Sequence, residues 1–182
     1  MSDSGKIAIV EIMKNDAYLK EIRSKYTIDD YYDISIFPRK ASWTIELTRK
    51  MAGERVERDY HGRLFEEQIN EPRVFAAKFD GIEIGWIELG YEKWNNRMRV
   101  WEFLIEEKYR RQGIGALLMN KAVEIGKNRG ARMLILETQT NNLNAIDFYL
   151  NFGFELIGFD IAAYSNQDID KKEVRLELGL TL

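Results

Sequence analysis

The sequence predicts an α/β domain built on a mixed, mostly antiparallel sheet with helices packed against it. Two observations carry that prediction. The apolar runs 73–79 and 83–89 flank Asp80-Gly81, a pair that tolerates positive φ and so marks a hairpin between antiparallel strands. Further on, residues 100–136 read as strand, glycine-bearing turn, helix and strand, a unit that sets two strands parallel.

The remaining elements follow in order. Residues 6–12 alternate like a strand, and 16–26 repeat Tyr18, Leu19, Ile22 and Tyr26 at helical spacing. Residues 29–33 look like loop, 43–48 alternate like a strand, and 51–59 are polar. A helix is expected over 62–70, stopping before Pro72. Residues 94–97 form a turn into a strand at 98–105. The stripe Leu117, Leu118, Ala122 and Ile125 makes a one-sided helix from Ile114, with Gly130 closing it. A short buried strand at 133–137, a helix at 144–152 and strands at 154–163 and 173–180 complete the chain.

A length of 182 residues suits one domain, read here as 1–182. With 45% hydrophobic and 31% charged residues the composition is that of a soluble globular protein. The first six residues lack an apolar core and no run is long enough to span a bilayer, so a cytoplasmic protein without membrane attachment is expected. Without cysteine, and with His61 as the single histidine, a thiolate nucleophile and a multi-histidine metal site are excluded; no metal is expected. A net charge of -3 argues against a nucleic-acid partner and favours a cationic one. A homodimer is compatible with the sequence.

The chemistry concentrates in Arg110-Arg111-Gln112-Gly113-Ile114-Gly115, where the strand at 98–105 gives way to the helix. A helix start presents unpaired N–H groups and the positive end of the macrodipole, which suits a phosphate. Gly113 and Gly115 remove the Cβ that would keep an anion away, and Arg110 and Arg111 add positive charge. On this feature alone a glycine-tolerant turn feeding a core helix is an equal reading. No Lys-Ser/Thr follows the second glycine, so a Walker loop is excluded, and the missing third glycine argues against a dinucleotide fingerprint.

Residues 105–115, Ile-Glu-Glu-Lys-Tyr-Arg-Arg-Gln-Gly-Ile-Gly, resemble the cofactor motif of the GNAT N-acetyltransferase superfamily. A second segment, 142–154, with Asn142, Ala145, Phe148-Tyr149 and Gly153-Phe154, is similar to that family's Asn-x-x-Ala, Phe-Tyr, Gly-Phe stretch. The likeness covers roughly 75–182. Leu136-Glu-Thr-Gln139, Gly158-Phe-Asp160 and Tyr164 are further similar to the streptothricin acetyltransferase branch.

The resemblance implies a GNAT-like sheet splayed between the parallel strands at 98–105 and 133–137, with acetyl-CoA entering the splay. Its pyrophosphate would lie on the amides of Gln112, Gly113, Ile114 and Gly115 beside Arg110 and Arg111. The backbone of Leu104 and Ile105 would pair with the pantetheine arm, and Asn142 or Asn144 would touch the cofactor. Either asparagine equally serves as a helix N-cap. Tyr149 would be the acid that protonates the leaving thiolate, since a phenol is protonated at neutral pH; the alternative is an ordinary core aromatic.

The base is open between Glu102, a charge inside an apolar strand, and Glu137. At the position where histone-modifying relatives carry a glutamate this chain has Arg99, a departure that argues against a protein-lysine acceptor. Trp43, Trp86, Trp94 and Trp101 would line a cation pocket or fill the core, with at least two expected in the core. The function expected is acetyl transfer from acetyl-CoA to a primary amine of a small molecule, polyamine-like or antibiotic. The alternatives are a protein or peptide amine acetyltransferase and a catalytically inactive acyl-CoA sensor.

Overall fold

The computed structural model describes residues 6–182; residues 1–5, on which the absence of an export signal was partly read, lie outside them. The chain divides into two compact units. The first runs to Lys25 and then takes Asp59–Leu136 and Leu180–Leu182; the second holds Tyr26–Arg58 and Glu137–Gly179.

In the first unit β1 (Ile7–Ile12), β4 (Arg73–Phe79), β5 (Ile82–Glu92) and β6 (Arg97–Ile105) form a continuous antiparallel array. Its β4–β5 turn carries φ of 49° at Asp80 and 81° at Gly81, the left-handed pair that a two-residue hairpin requires. Strand β7 (Met133–Gln139) then pairs parallel with β6, Arg97 facing Met133 and Arg99 facing Ile135. Between them α2 (Ile114–Arg129) buries Leu118, Met119, Ala122 and Ile125 and ends on Gly130 in the left-handed region, as the glycine predicts; of the expected stripe Leu117 is 45% exposed, and Met119 is buried beside the rest. Leu64, Val74, Ala76, Trp86 and Leu104 form a core cluster, against which Val10 and Ile12 pack.

In the second unit the last residues of β7 lead into α3 (Leu143–Phe152), and β8 (Glu155–Asp160) pairs antiparallel with β9 (Arg175–Thr181). A short helix, α4 (Asp168–Lys171), was not legible in the sequence. Most of β2 (Glu21–Arg39) and β3 (Ser42–Arg63) also belongs here, as a separate two-stranded ladder.

Three sequence expectations are corrected. The helix over 16–26 is confined to α1 (Lys14–Ala17), because β2 has begun by Glu21. Ile22, Ile28 and Ile34 are buried at even positions, so a period of two also fits the apolar residues read as helical. Residues 29–33, read as loop, are strand, as are the polar residues 51–59, held by β2–β3 pairing that outweighs local polarity. The helix over 62–70 does not form: the Leu64 N–H is taken by the Lys20 carbonyl at 3.0 Å and the Phe65 N–H by a Glu88 carboxylate oxygen at 2.8 Å. Phe65 has φ 62°, outside any right-handed helix.

Candidate active site

The strand-to-helix turn is built in three steps. A 3-10 turn at Glu107–Tyr109 follows β6, Arg111 adopts φ 60°, and Gly113 adopts φ 81° as the N-cap of α2. Left-handed residues alternating with others turn successive N–H groups toward one side, the geometry of an anion-binding nest. The first N–H groups of α2 open beside it. A Cβ added at Gly113 would meet nothing within 4 Å, so the space over the turn is clear. Gln112 and Arg111 are exposed, whereas Ile114 is anchored in the core at 1% exposure.

Arg110 is not a free charge at the rim. Its Nε donates to the Ile105 carbonyl at 3.1 Å and its guanidinium also donates to the Ser24 hydroxyl, tying the turn to the end of β6. Gln112 donates to the Lys108 carbonyl at 3.0 Å, which closes the turn from its other side. Leu104 is 4% exposed and belongs to the core cluster, so any role toward a ligand falls to its backbone. The parallel register with β7 extends only through Arg99, and β6 runs on for six residues to Ile105.

Glu102 lies on this extension. Burial pushes its carboxyl up to about 7, the Tyr60 hydroxyl that donates to Oε2 opposes the shift, and Glu66 adds to it. Gly62 presses against the same carboxylate: a Cβ there would sit 2.8 Å from Glu102 Cδ. The carboxylate borders a cavity of about 410 Å³ that also meets Glu21, Glu66, His61, Arg23 and Arg63. A carboxyl that titrates near neutrality and borders open space meets the requirements of a general base. His61 is exposed.

Sequence reasoning missed Glu88. It is 0% exposed in β5, faces Glu102 in the β5–β6 register, and is pushed up to about 7 by burial first, against the Phe65 N–H that lowers it and with the charges of Glu102 and Glu66 adding to the rise. The signal was present: Ile84–Leu89 is apolar apart from this residue and buried on both faces, leaving a charge no solvent side. The tryptophan expectation also fails. Trp86 alone is buried among the four, while Trp43, Trp94 and Trp101 are 70%, 84% and 39% exposed. Arg99 donates to Glu92 at 2.7 Å, and Trp101 lies under its guanidinium at 5.8 Å.

In the second unit Tyr149 is 6% exposed on α3, its ring against Phe148 and Phe154 at 5.5 and 5.8 Å. Burial raises its phenol above the ordinary value, so it stays protonated across neutral pH. Asn142 is the N-cap position of α3 but makes no side-chain cap hydrogen bond, and Asn144 is exposed. Glu137 accepts from Tyr164 at 3.3 Å and pairs with Arg175 at 3.8 Å. Among the described residues no His, Asp and Glu cluster is arranged to hold a metal, and no helix is long and apolar enough to cross a membrane.

A parallel β6–α2–β7 unit with left-handed residues at the helix start is the construction of α/β proteins whose loops receive phosphate groups. Comparison with known proteins narrows that class. Residues 23–154 match the profile of the acetyltransferase (GNAT) family, and the chain belongs to that family. It is 35% identical over 95 residues to streptothricin acetyltransferase of Streptomyces lavendulae, covering 52% of this chain and 50% of that protein. It is 34% identical over 73 residues to streptothricin acetyltransferase A of Bacillus subtilis, covering 40% and 42%. The chain thus spans about half the length of the curated relatives it matches.

Solved structures agree over a greater length. A Bacillus anthracis str. Ames protein assigned to the streptothricin acetyltransferases and solved with acetyl coenzyme A matches at TM-score 0.77 and 25% identity, over 99% of both chains. A nourseothricin acetyltransferase shares the fold at TM-score 0.74 and 24% identity, over 96% of this chain and 98% of that one. The sheet, antiparallel from β1 through β4 and β5 to β6 with β6 and β7 parallel, is therefore a GNAT fold.

Proposed function

We propose that this protein transfers the acetyl group of acetyl-CoA to a primary amine of a small cationic molecule. The observation that carries the reading is the turn at 110–115, where two left-handed residues and a helix start meet beneath open space. The streptothricin acetyltransferases among its relatives support an antibiotic or polyamine-like acceptor. The cavity beside Glu102 sets Glu21, Glu66 and Glu102 against Arg23 and Arg63, with Glu21 paired to both arginines, so the preference for a cationic acceptor rests on the relatives.

In this reading the amides of Gln112, Gly113, Ile114 and Gly115 hold the pyrophosphate, and the open edge of β6 at Leu104 and Ile105 pairs with the pantetheine amides. Acetyl-CoA, when bound, supplies the thioester carbonyl. Glu102 accepts a proton from the acceptor's ammonium and leaves a neutral, nucleophilic amine. Tyr149, kept protonated by its burial, donates a proton to the departing sulfur. Asn142 and Asn144, at the start of α3, are the residues of that segment proposed to touch the cofactor.

The test is release of free CoA thiol across a panel of polyamines, streptothricin-class amines, aminoglycosides and peptides. Turnover confined to one class of small amine supports the proposal. Turnover of peptides alone replaces the acceptor, and binding of acetyl-CoA without turnover of any amine favours a sensor.

A further inference from the structure

Glu88 and Glu102 occupy opposed positions on β5 and β6, which places their side chains on one face of the sheet. Glu88 has no solvent exposure. One of its carboxyl oxygens accepts the Phe65 N–H at 2.8 Å; the other is buried without a hydrogen-bond partner. The Phe65 N–H favours the ionised form in part, but a buried carboxylate with one unsatisfied oxygen is costly when ionised, and burial favours the protonated form on balance.

The segment from Tyr60 to Glu66 is shaped around the two groups. The Tyr60 hydroxyl donates to Glu102, and Gly62 lets the Glu102 carboxylate lie against the backbone. Phe65, a bulky residue in the left-handed region, turns its N–H onto Glu88. Such an outlier persists only where its surroundings hold it in place, and here what it supplies is a donor to Glu88.

We propose that Glu88 and Glu102 act as one unit, a cross-strand carboxyl pair holding one proton, in which Glu88 is the positioning residue that keeps the pair singly charged while Glu102 takes the acceptor's proton. This rests on the reading of Glu102 as base. In the step, an N–H bond of the ammonium breaks and an O–H bond forms on Glu102; the electron pair stays on nitrogen. The pair passes from one negative charge to none. Were Glu88 also ionised, the second charge would hold the abstracted proton more tightly and slow its return to water. The other groups that bear on the pair are Tyr60 and Glu66, with Glu21, Arg23, His61 and Arg63 around the cavity.

The experiment is a carboxyl-carbon NMR titration of the cosubstrate-free protein, as wild type, Glu102→Gln and Glu88→Gln. Removing the Glu102 charge should lower the Glu88 midpoint by about one pH unit or more, the coupling at which two sites titrate together. Glu88→Gln should leave Glu102 titrating in a single step. An unmoved Glu88 midpoint in Glu102→Gln overturns the pairing, and that result needs only wild type and Glu102→Gln should Glu88→Gln fail to fold. Thiol release separates the two ideas. A Glu102→Gln protein with full turnover but a lowered Glu88 midpoint refutes the base while the pairing stands.

Discussion

Gly62→Ala is the most discriminating perturbation of the candidate base. A Cβ at this position would lie 2.8 Å from Glu102 Cδ and Oε1 and closer still to Oε2, where ordinary contact begins at 3.4 Å. The carboxylate must therefore retreat by more than half an ångström. Gly62 itself needs no left-handed backbone, and the atoms in its way are the tip of a flexible side chain. The fold should accept alanine at a cost below about 1 kcal/mol, a gain of about 0.4–1 kcal/mol from the stiffer unfolded chain offsetting the contact. A melting shift within about 3 °C follows for a chain this size. Activity should respond far more, because misplacing a catalytic group by about 1 Å costs roughly 100-fold. The assay is thiol release as a function of pH, beside thermal melting and acetyl-CoA affinity. The account requires a large loss of kcat/KM with melting and cofactor affinity nearly unchanged. Full activity with an unaltered acid limb near pH 7 would refute Glu102 as base.

Three further perturbations address the other roles. Gly113→Ala puts a Cβ on a residue at φ 81°, at a strain of about 1–2 kcal/mol, and should weaken acetyl-CoA binding about tenfold in calorimetry; unchanged affinity removes the turn from the site. Tyr149→Phe should lower kcat by about 100-fold with acetyl-CoA affinity preserved, and normal turnover would move the acid elsewhere. The Glu88 carboxyl, raised from 4.5 to about 7, contributes stability that is fully present below about pH 4.5 and is lost as pH rises through about 7. That loss is on the order of 3 kcal/mol, and urea unfolding at pH 4.5 and 8 should show a larger loss in wild type than in Glu88→Gln, where Glu102, also raised to about 7, still titrates.

The elements from β4 onward, the short α4 excepted, were legible because local and long-range forces agree there. Asp80-Gly81 fits its turn, the apolar stripe of α2 faces the core, and Gly130 caps the helix. In the first third the strands at 6–12 and 43–48 were legible, but the rest was not, because distant partners decide it. Residues 16–26 carry apolar residues at spacings that fit a helix or a strand, and β3 selects the strand. At 62–70 the Lys20 carbonyl and the Glu88 side chain take the amides that a helix would use. The same segment explains what the site reading missed: Glu102 stands out as a charge in an apolar strand, but nothing in sequence spacing brings Tyr60, Gly62 or Glu88 to it. The exposed tryptophans of β3 and β6 show the limit of reading large aromatics as core.

The central claim is that the turn at 110–115 receives the pyrophosphate of acetyl-CoA. Its most direct test is calorimetric titration with acetyl-CoA and, in parallel, with acetyl-pantetheine, which keeps the thioester and lacks the pyrophosphate. The account predicts saturable binding of acetyl-CoA, far weaker binding of acetyl-pantetheine, and a Gly113→Ala defect confined to acetyl-CoA. Equal affinity for the two ligands, or no binding of acetyl-CoA, would contradict it.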